Sequence, residues 1–300
     1  MEQQNSALAE AQPTQEGQVK LVIAPTKSAI STALSSLIIQ SCQKALSSSS
    51  TFTIALSGGS LPSFLHDLPD AFARANVNPQ WQKWHVLLAD ERCVPSSDAD
   101  SNLGAIRTHF TNGVDIPPSQ IYGIDETLLG SSEDIAASYQ DNVIKLLLDK
   151  KKKSNTDDDG KIDCALLGFG PDGHTCSLFP NHKLLKEQTL LVASIDDSPK
   201  PPPSRITLTL PCLNQLCRQI IFCGAGESKR PILQAVVQKV DVGNNDELLL
   251  FDSNLGAKVA TMQLCFPPRY PCGMVRPRQG CGEEDCLIWL VDEDAAAEFI

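Results

Sequence analysis

Apolar residues along this chain fall in short runs separated by polar turns rich in glycine and proline, and the run lengths predict alternating strands and helices. Lys20 to Ala24 reads as a first strand. Lys27 to Leu46 follows as a helix with Ile30, Leu34, Leu37 and Ile38 on one face, ahead of the Ser47–Ser50 tract. Thr51–Leu56 and Trp84–Ala89 are further strands. Ser101 is placed to cap a helix, and Ser131–Leu148 reads as another, with Ile135, Tyr139, Val143 and Leu146 along one face. Ile162–Phe169 is nearly continuous in its apolar character, as expected of a central strand covered on both faces of a parallel sheet. Leu190–Ile195, Arg205–Leu210, Ile220–Cys223 and Leu287–Val291 complete the strands, with a helix from Ser228 to about Lys239. The alternation predicts an α/β fold: three layers, with a mainly parallel sheet flanked by helices.

Several of these strands end in chemistry. Ser57-Gly58-Gly59-Ser60 follows one strand, where adjacent glycines free backbone N–H groups to converge on an anion at the start of a helix. Asp90-Glu91-Arg92 follows another, and is read either as a cleft-facing group or as an internal salt-bridge cluster. Gly168 to His174 follows the central strand, and Gly224-Ala225-Gly226-Glu227 leads to Lys229 in the first turn of a helix. The strand ends of a parallel sheet share one edge, so these four loops are expected to meet there. The proline-rich Ser198–Ser204, carrying Lys200 and followed by Arg205, is expected to hold basic groups over the same cleft.

The residues Met1–Gly17 contain no lysine or arginine, which is the wrong charge for a secretion or organelle leader. We read residues 1–19 as a disordered tail and residues 20–300 as one domain of a cytoplasmic protein. Within that domain, 241–286 is expected to be a loop-rich, cysteine-bearing segment. Eleven cysteines are an odd number in a long chain and predict free, mostly buried thiols. No apolar run approaches the ~18 residues of a membrane span. A net charge of -11 argues against nucleic-acid binding and requires a local Arg/Lys cluster for any anionic substrate. Lys151–Gly160 reads as a solvated loop. Its adjacent aspartates Asp157, Asp158 and Asp159 lack the alternating spacing of a calcium loop, and Cys265, Cys272, Cys281 and Cys286 lack zinc-ribbon spacing.

Gly168-Phe169-Gly170-Pro171-Asp172-Gly173 matches a dinucleotide fingerprint, but Pro171 and Pro180 leave little room for the helix that would carry a pyrophosphate. The nucleophile elbow G-x-S-x-G and the zinc motif H-E-x-x-H are both absent. What remains is acid–base chemistry by His174 beside Asp172, on a phosphorylated small molecule, with no metal and no cofactor.

SGGSL at 57–61, DERCVP at 90–95, SNLGAIRTHF at 101–110, LLGFGPDGHTCSLFPNH at 166–182 and SPKPPPSRITLTLP at 198–211 together resemble the 6-phosphogluconolactonases, over about 20–297. The resemblance implies a single α/β domain related to the amino-sugar phosphate isomerases, and hydrolysis of 6-phospho-D-glucono-1,5-lactone in the oxidative pentose phosphate pathway. Carried over by position, it implies that Gly58, Gly59, Ser60, Arg205 and Lys229 hold the phosphate. It makes His174 the general base, Asp172 its orienting partner and Arg92 the group facing the lactone. Asp90 and Lys200 are further candidates for substrate contact. The segment from Asp241 to Cys286 departs from the family pattern. The expected partner is a sugar phosphate, with no nucleic acid, membrane or obligate protein partner. Two rivals are an amino-sugar phosphate deaminase on the same scaffold and a non-catalytic sugar-phosphate sensor. The stretch before Lys20 is too short and acidic for the DNA-binding helices such a sensor carries.

Overall fold

The computed structural model describes residues 17–154, 160–240, 249–252, 255–277 and 286–300. Strand β1 (Gln18–Ala24) is followed by α1 (Ala29–Ser48), β2 (Phe52–Leu56), α2 (Leu68–Arg74), β3 (Trp84–Leu88) and β4 (Asp90–Arg92). Next come α3 (Asn102–His109), α4 (Ser132–Tyr139), α5 (Leu146–Ser154), β5 (Ile162–Gly168), β6 (Val192–Ile195), β7 (Arg205–Leu208), α6 (Leu210–Leu216) and β8 (Cys217–Gly224). The chain closes with α7 (Arg230–Val236), β9 (Val237–Lys239), β10 (Leu249–Asp252), β11 (Ala257–Leu264), α8 (Pro271–Met274), β12 (Leu287–Asp292) and α9 (Glu293–Ala296).

The main sheet runs β10-β11-β1-β12-β8-β5-β2-β3, with β9 also paired to β11. From β1 to β3 every pairing is parallel, and β9, β10 and β11 add an antiparallel margin. Helix α1 packs on β1, β2, β5 and β12. This is the mainly parallel, helix-flanked α/β architecture that the alternation predicts. Its centre is fully buried: Ile54, Leu166, Ile221 and Leu290 are all 0% exposed, as strands covered on both faces must be.

After β2 the chain re-enters the main sheet outward, at β3, whereas after β5 it passes through β6 and β7 of the second sheet and re-enters on the other side, at β8. The loops after β2 and β5 therefore diverge from adjacent strands, which opens a crevice at the carboxyl edge of the sheet. Both loops are ones that the sequence singled out.

Several expectations are corrected. The first strand starts at Gln18, inside the expected tail, because Val19 is buried and pairs with Met262. Asp90–Arg92 is not the end of the preceding strand but β4, which joins β7 and β6 in a separate antiparallel sheet. The expected 131–148 helix is interrupted by a π-helical turn at Gln140–Lys145. The wider turn shifts the apolar face, so Ile144 is buried in place of Val143, and Leu146 is exposed. The 228–239 helix is a 3₁₀ turn, Glu227–Lys229, then α7, and its last residues are the edge strand β9.

Lys151 does not lie in a solvated loop. It lies in the last turn of α5 with its ammonium buried, 2.6 Å from both carboxylate oxygens of Asp163. The three aspartates 157–159 and Cys281 lie outside the described residues. Among those described, ten cysteines are free thiols and no group of three His, Cys, Asp or Glu could hold a metal ion. Among them, no helix is long and apolar enough to cross a membrane.

Candidate active site

The crevice is a cavity of about 330 Å³ whose walls include Ser57, Gly58, Gly59, Ser60, Asp90, Arg92, His174, Lys200, Arg205 and Lys229. The structure thus gathers nine of the ten expected site residues on one wall system. The tenth, Asp172, stands behind His174.

The turn after β5 is built to present the histidine. Gly170 N–H donates to the His174 carbonyl (2.9 Å), Gly173 N–H donates to the Gly170 carbonyl (2.9 Å), and Thr175 Oγ1 donates to the Gly168 carbonyl (2.9 Å). Gly173 sits at φ +80°, a left-handed conformation that disfavours any side chain. A Cβ on Gly170 would fall 2.0 Å from His174 Nδ1 and 2.3 Å from Asp172 Oδ1, so the backbone there must be bare for the pair to close over it. Closed, His174 Nδ1 lies 2.5 Å from Asp172 Oδ1, and its ring stacks on Phe179 at 5.1 Å. A proton on Nδ1, donated to Asp172, leaves the Nε2 lone pair as the free base.

Burial holds His174 below the ordinary histidine range. Asp172 pulls it back up, and the Lys200 ammonium pushes it down again. For Asp172, burial works upward, but the hydrogen bond and charge of His174, with Lys200, hold it below the usual carboxylate range. Lys200 Nζ stands 3.0 Å from His174 Nδ1 and 3.5 Å from Asp172 Oδ2.

The loop after β2 is the expected glycine-rich cradle, with Gly59 at φ +68°. A four-residue 3₁₀ turn, Pro62–Leu65, follows it in place of the expected α-helix. A helix dipole therefore contributes little here, and positive charge must come from side chains. Lys229 supplies one such charge from just before α7. It donates to the Phe169 carbonyl and lies 5.1 Å from the Phe169 ring. Burial, with Lys200 nearby, lowers its proton affinity.

Arg205 lines the cavity but also has a structural task that the sequence did not foretell. Its Nε donates to the Pro202 carbonyl (2.9 Å), and its Nη2 donates to those of Lys200 (2.8 Å) and Pro201 (3.0 Å). The arginine clamps the proline strap that carries Lys200. Arg92 donates to the Asp100 carbonyl through Nη1, while its Nε is buried without a partner among the described residues. Asp90 is buried, which raises its proton affinity even though Ser177 Oγ donates to it at 2.9 Å.

The Asp90–Arg92 triplet is not one salt-bridge cluster. Glu91 caps α3, accepting from the N–H groups of Asn102 (2.7 Å) and Leu103 (2.8 Å) and from Ser101 Oγ (3.1 Å). Ser101 in turn accepts from Gly104 N–H, as expected of an N-cap. Asn102 is a site residue that the sequence reading missed. It is 2% exposed, lines the cavity and donates from Nδ2 to the Asp90 carbonyl at 2.8 Å. A Cβ on Gly58 would fall 1.7 Å from Asn102 Oδ1. Its sequence signals were its place directly after an N-cap and inside the 101–110 block that carries the family resemblance. Cys176, at φ +49°, and Cys223 also line the cavity, and burial pushes the Cys223 thiol up to about 12.

A parallel sheet with a switch-point crevice, a cradle of glycines, several cations and one histidine makes this an α/β protein with a site suited to an anionic ligand and to acid–base chemistry. The family model described as glucosamine-6-phosphate isomerases/6-phosphogluconolactonase matches residues 25–248. The 6-phosphogluconolactonase of Rattus norvegicus is 39% identical over 82% of this chain and 79% of its own. That of Homo sapiens is 40% identical over 82% and 80%. Among solved structures, the 6-phosphogluconolactonase from Leishmania guyanensis superposes with a TM-score of 0.67 at 22% identity, covering 93% of this chain and 97% of its own. A monomeric glucosamine-6-phosphate deaminase of the NagB superfamily gives 0.64 at 16%, covering 93% and 99%. These two likenesses speak to the fold alone. The chain belongs to the glucosamine-6-phosphate isomerase/6-phosphogluconolactonase family.

Proposed function

We propose that this protein hydrolyses 6-phospho-D-glucono-1,5-lactone to 6-phosphogluconate, with His174 as general base and all catalytic groups supplied by the chain. The observation that carries the reading is His174, held 2.5 Å from Asp172, lining a cavity that Arg92, Lys200, Arg205 and Lys229 also line. Identity of about 40% to the mammalian lactonases over most of both chains supports the choice of substrate.

His174 Nε2 removes a proton from water as the water oxygen attacks C1. The C1 carbonyl pair moves onto oxygen, and Arg92 with backbone N–H groups holds the charge that develops there. When the carbonyl re-forms, the bond from C1 to the ring oxygen breaks and the imidazolium returns its proton to that oxygen. The product acid then ionises. Asp172 keeps the imidazole in the tautomer that exposes Nε2 and stabilises the imidazolium between the two transfers. Gly58–Ser60 and Lys229 take the phosphate, and Arg205 holds the strap that seats Lys200.

The test is the hydrolysis rate on freshly generated lactone, corrected for spontaneous opening, for the wild type and for His174→Ala. The variant is expected to lose about 10²–10⁴-fold in kcat. A wild type no faster than spontaneous opening refutes the activity. A His174→Ala variant at wild-type rate refutes the base. Ammonia released from glucosamine 6-phosphate would favour the deaminase branch of the family.

A further inference from the structure

The stretch between β11 and β12 lies within the segment expected to be loop-rich and cysteine-bearing, and its described part reaches the turn that carries His174. Tyr270 lies directly against Gly173. A Cβ on that glycine would come within 2.4–2.6 Å of Tyr270 Cδ1, Cβ and Cγ, so backbone and ring are already in van der Waals contact. Two residues on, Cys272 N–H donates to the Gly173 carbonyl at 3.1 Å. Gly173 is the residue between Asp172 and His174. It is therefore held from outside its own loop by one packing contact and one hydrogen bond, both from a segment about a hundred residues away in sequence.

That segment is itself fixed. Asn214, in α6, donates from Nδ2 to the Met274 carbonyl (3.1 Å) and accepts the Arg276 N–H on Oδ1 (2.7 Å). Arg276 donates from Nε to the Gly273 carbonyl (3.1 Å) and from Nη2 to the Cys265 carbonyl (2.7 Å). Its guanidinium lies 5.8 Å from the Phe266 ring. The chain is thus closed into a rigid buttress, with Tyr270 at the face that meets the turn.

We propose that Tyr270 is a positioning residue: its ring, braced through Asn214 and Arg276, sets the backbone of Gly173 and so the approach of His174 to Asp172. Its catalytic consequence rests on His174 acting as the base. A histidine displaced by about an ångström loses on the order of 10²-fold in rate, while the phosphate cradle after β2 is untouched. The contact uses the inner part of the ring, so the phenolic hydroxyl is dispensable.

The experiment compares kcat and KM for the wild type, Tyr270→Ala and Tyr270→Phe, with the imidazole N–H resonances of His174 followed by NMR on histidine-labelled protein. Tyr270→Ala is expected to lower kcat by about 10–100-fold with KM changed less than twofold, and to lose the exchange-protected Nδ1 proton bonded to Asp172. Tyr270→Phe should restore both. Should Tyr270→Ala fail to fold, Tyr270→Val, which suits the extended backbone there (φ -127°, ψ 150°), takes its place. Unchanged kcat and an unchanged Nδ1 signal in the truncated variant overturn the proposal, as does a rise in KM at constant kcat. If the wild type lacks lactonase activity but the Nδ1 signal still responds to Tyr270, the functional reading fails and the positioning role stands.

Discussion

Lys200 Nζ lies 3.0 Å from His174 Nδ1, the nitrogen that Asp172 holds at 2.5 Å from the other side. An ammonium cannot accept the Nδ1 proton, so what keeps Lys200 there is the second carboxylate oxygen of Asp172, at 3.5 Å, together with the proline strap. The two neighbours therefore act on the imidazole with opposite signs. Burial and Lys200 disfavour the imidazolium, and Asp172 favours it. The acid limb of kcat/KM, which reports the free enzyme, should lie below histidine's ordinary ~6.5. Lys200→Met should move that limb upward and Asp172→Asn should move it downward. Limbs that shift in the same direction, or a wild-type limb above 7, would contradict this arrangement.

The two adjacent glycines of the cradle should behave differently. At Gly58 an added methyl meets Asn102 Oδ1 at 1.7 Å, and Asn102 cannot retreat because Asp90 and Glu91 hold both its ends. At Gly59 nothing lies within 4 Å, and only the positive φ of +68° is in the way. Gly58→Ala should raise KM for the lactone by at least tenfold. Gly59→Ala should mainly reduce folding stability, by about 1–2 kcal/mol. Steady-state kinetics and urea melts of the two variants would separate them, and equal KM values would refute the contrast.

Lys151 and Asp163 form an ion pair at the opposite edge of the sheet, with side chains 1% and 4% exposed. Asp163 also accepts the Thr53 N–H at 2.8 Å, so the pair ties α5 to the starts of β2 and β5. Lys151→Met leaves a buried carboxylate short of its main partner and should cost about 3–5 kcal/mol at neutral pH. Burial already raises the Asp163 proton affinity. A folded-state pKa above the unfolded one means that protonation favours the fold, so the deficit should shrink as pH falls through that pKa. Denaturant melts at two pH values test both the size and the sign. A deficit that grows on acidification would show that Asp163 is not the group left exposed to the loss.

The turn from Gly168 to His174 was legible in the sequence because its requirements are local: an apolar run that ends, glycines that permit a left-handed backbone, and a proline that stiffens it. The Ser57–Ser60 loop and the N-cap at Ser101 were legible on the same grounds. Asn102 and Tyr270 were not, since what matters about each is a glycine that it touches 44 and 97 residues away in sequence. The second sheet was also hidden. Three charged residues at Asp90–Arg92 carry no strand pattern, and only pairing with Arg205–Thr207 makes them one. The π-helical turn in Gln140–Lys145 changes which face is apolar without any glycine or proline to announce it.

By itself, then, the sequence determined where strands end and which of those ends carry glycine, histidine or a cation, because run length, backbone freedom and charge belong to neighbouring residues. Tertiary structure alone decided which side chains face each other across the crevice. It set His174 between Asp172 and Lys200, turned Arg205 onto the strap, and stood Tyr270 against Gly173. Those relationships depend on the distance between packed segments, and no rule of local spacing contains that distance.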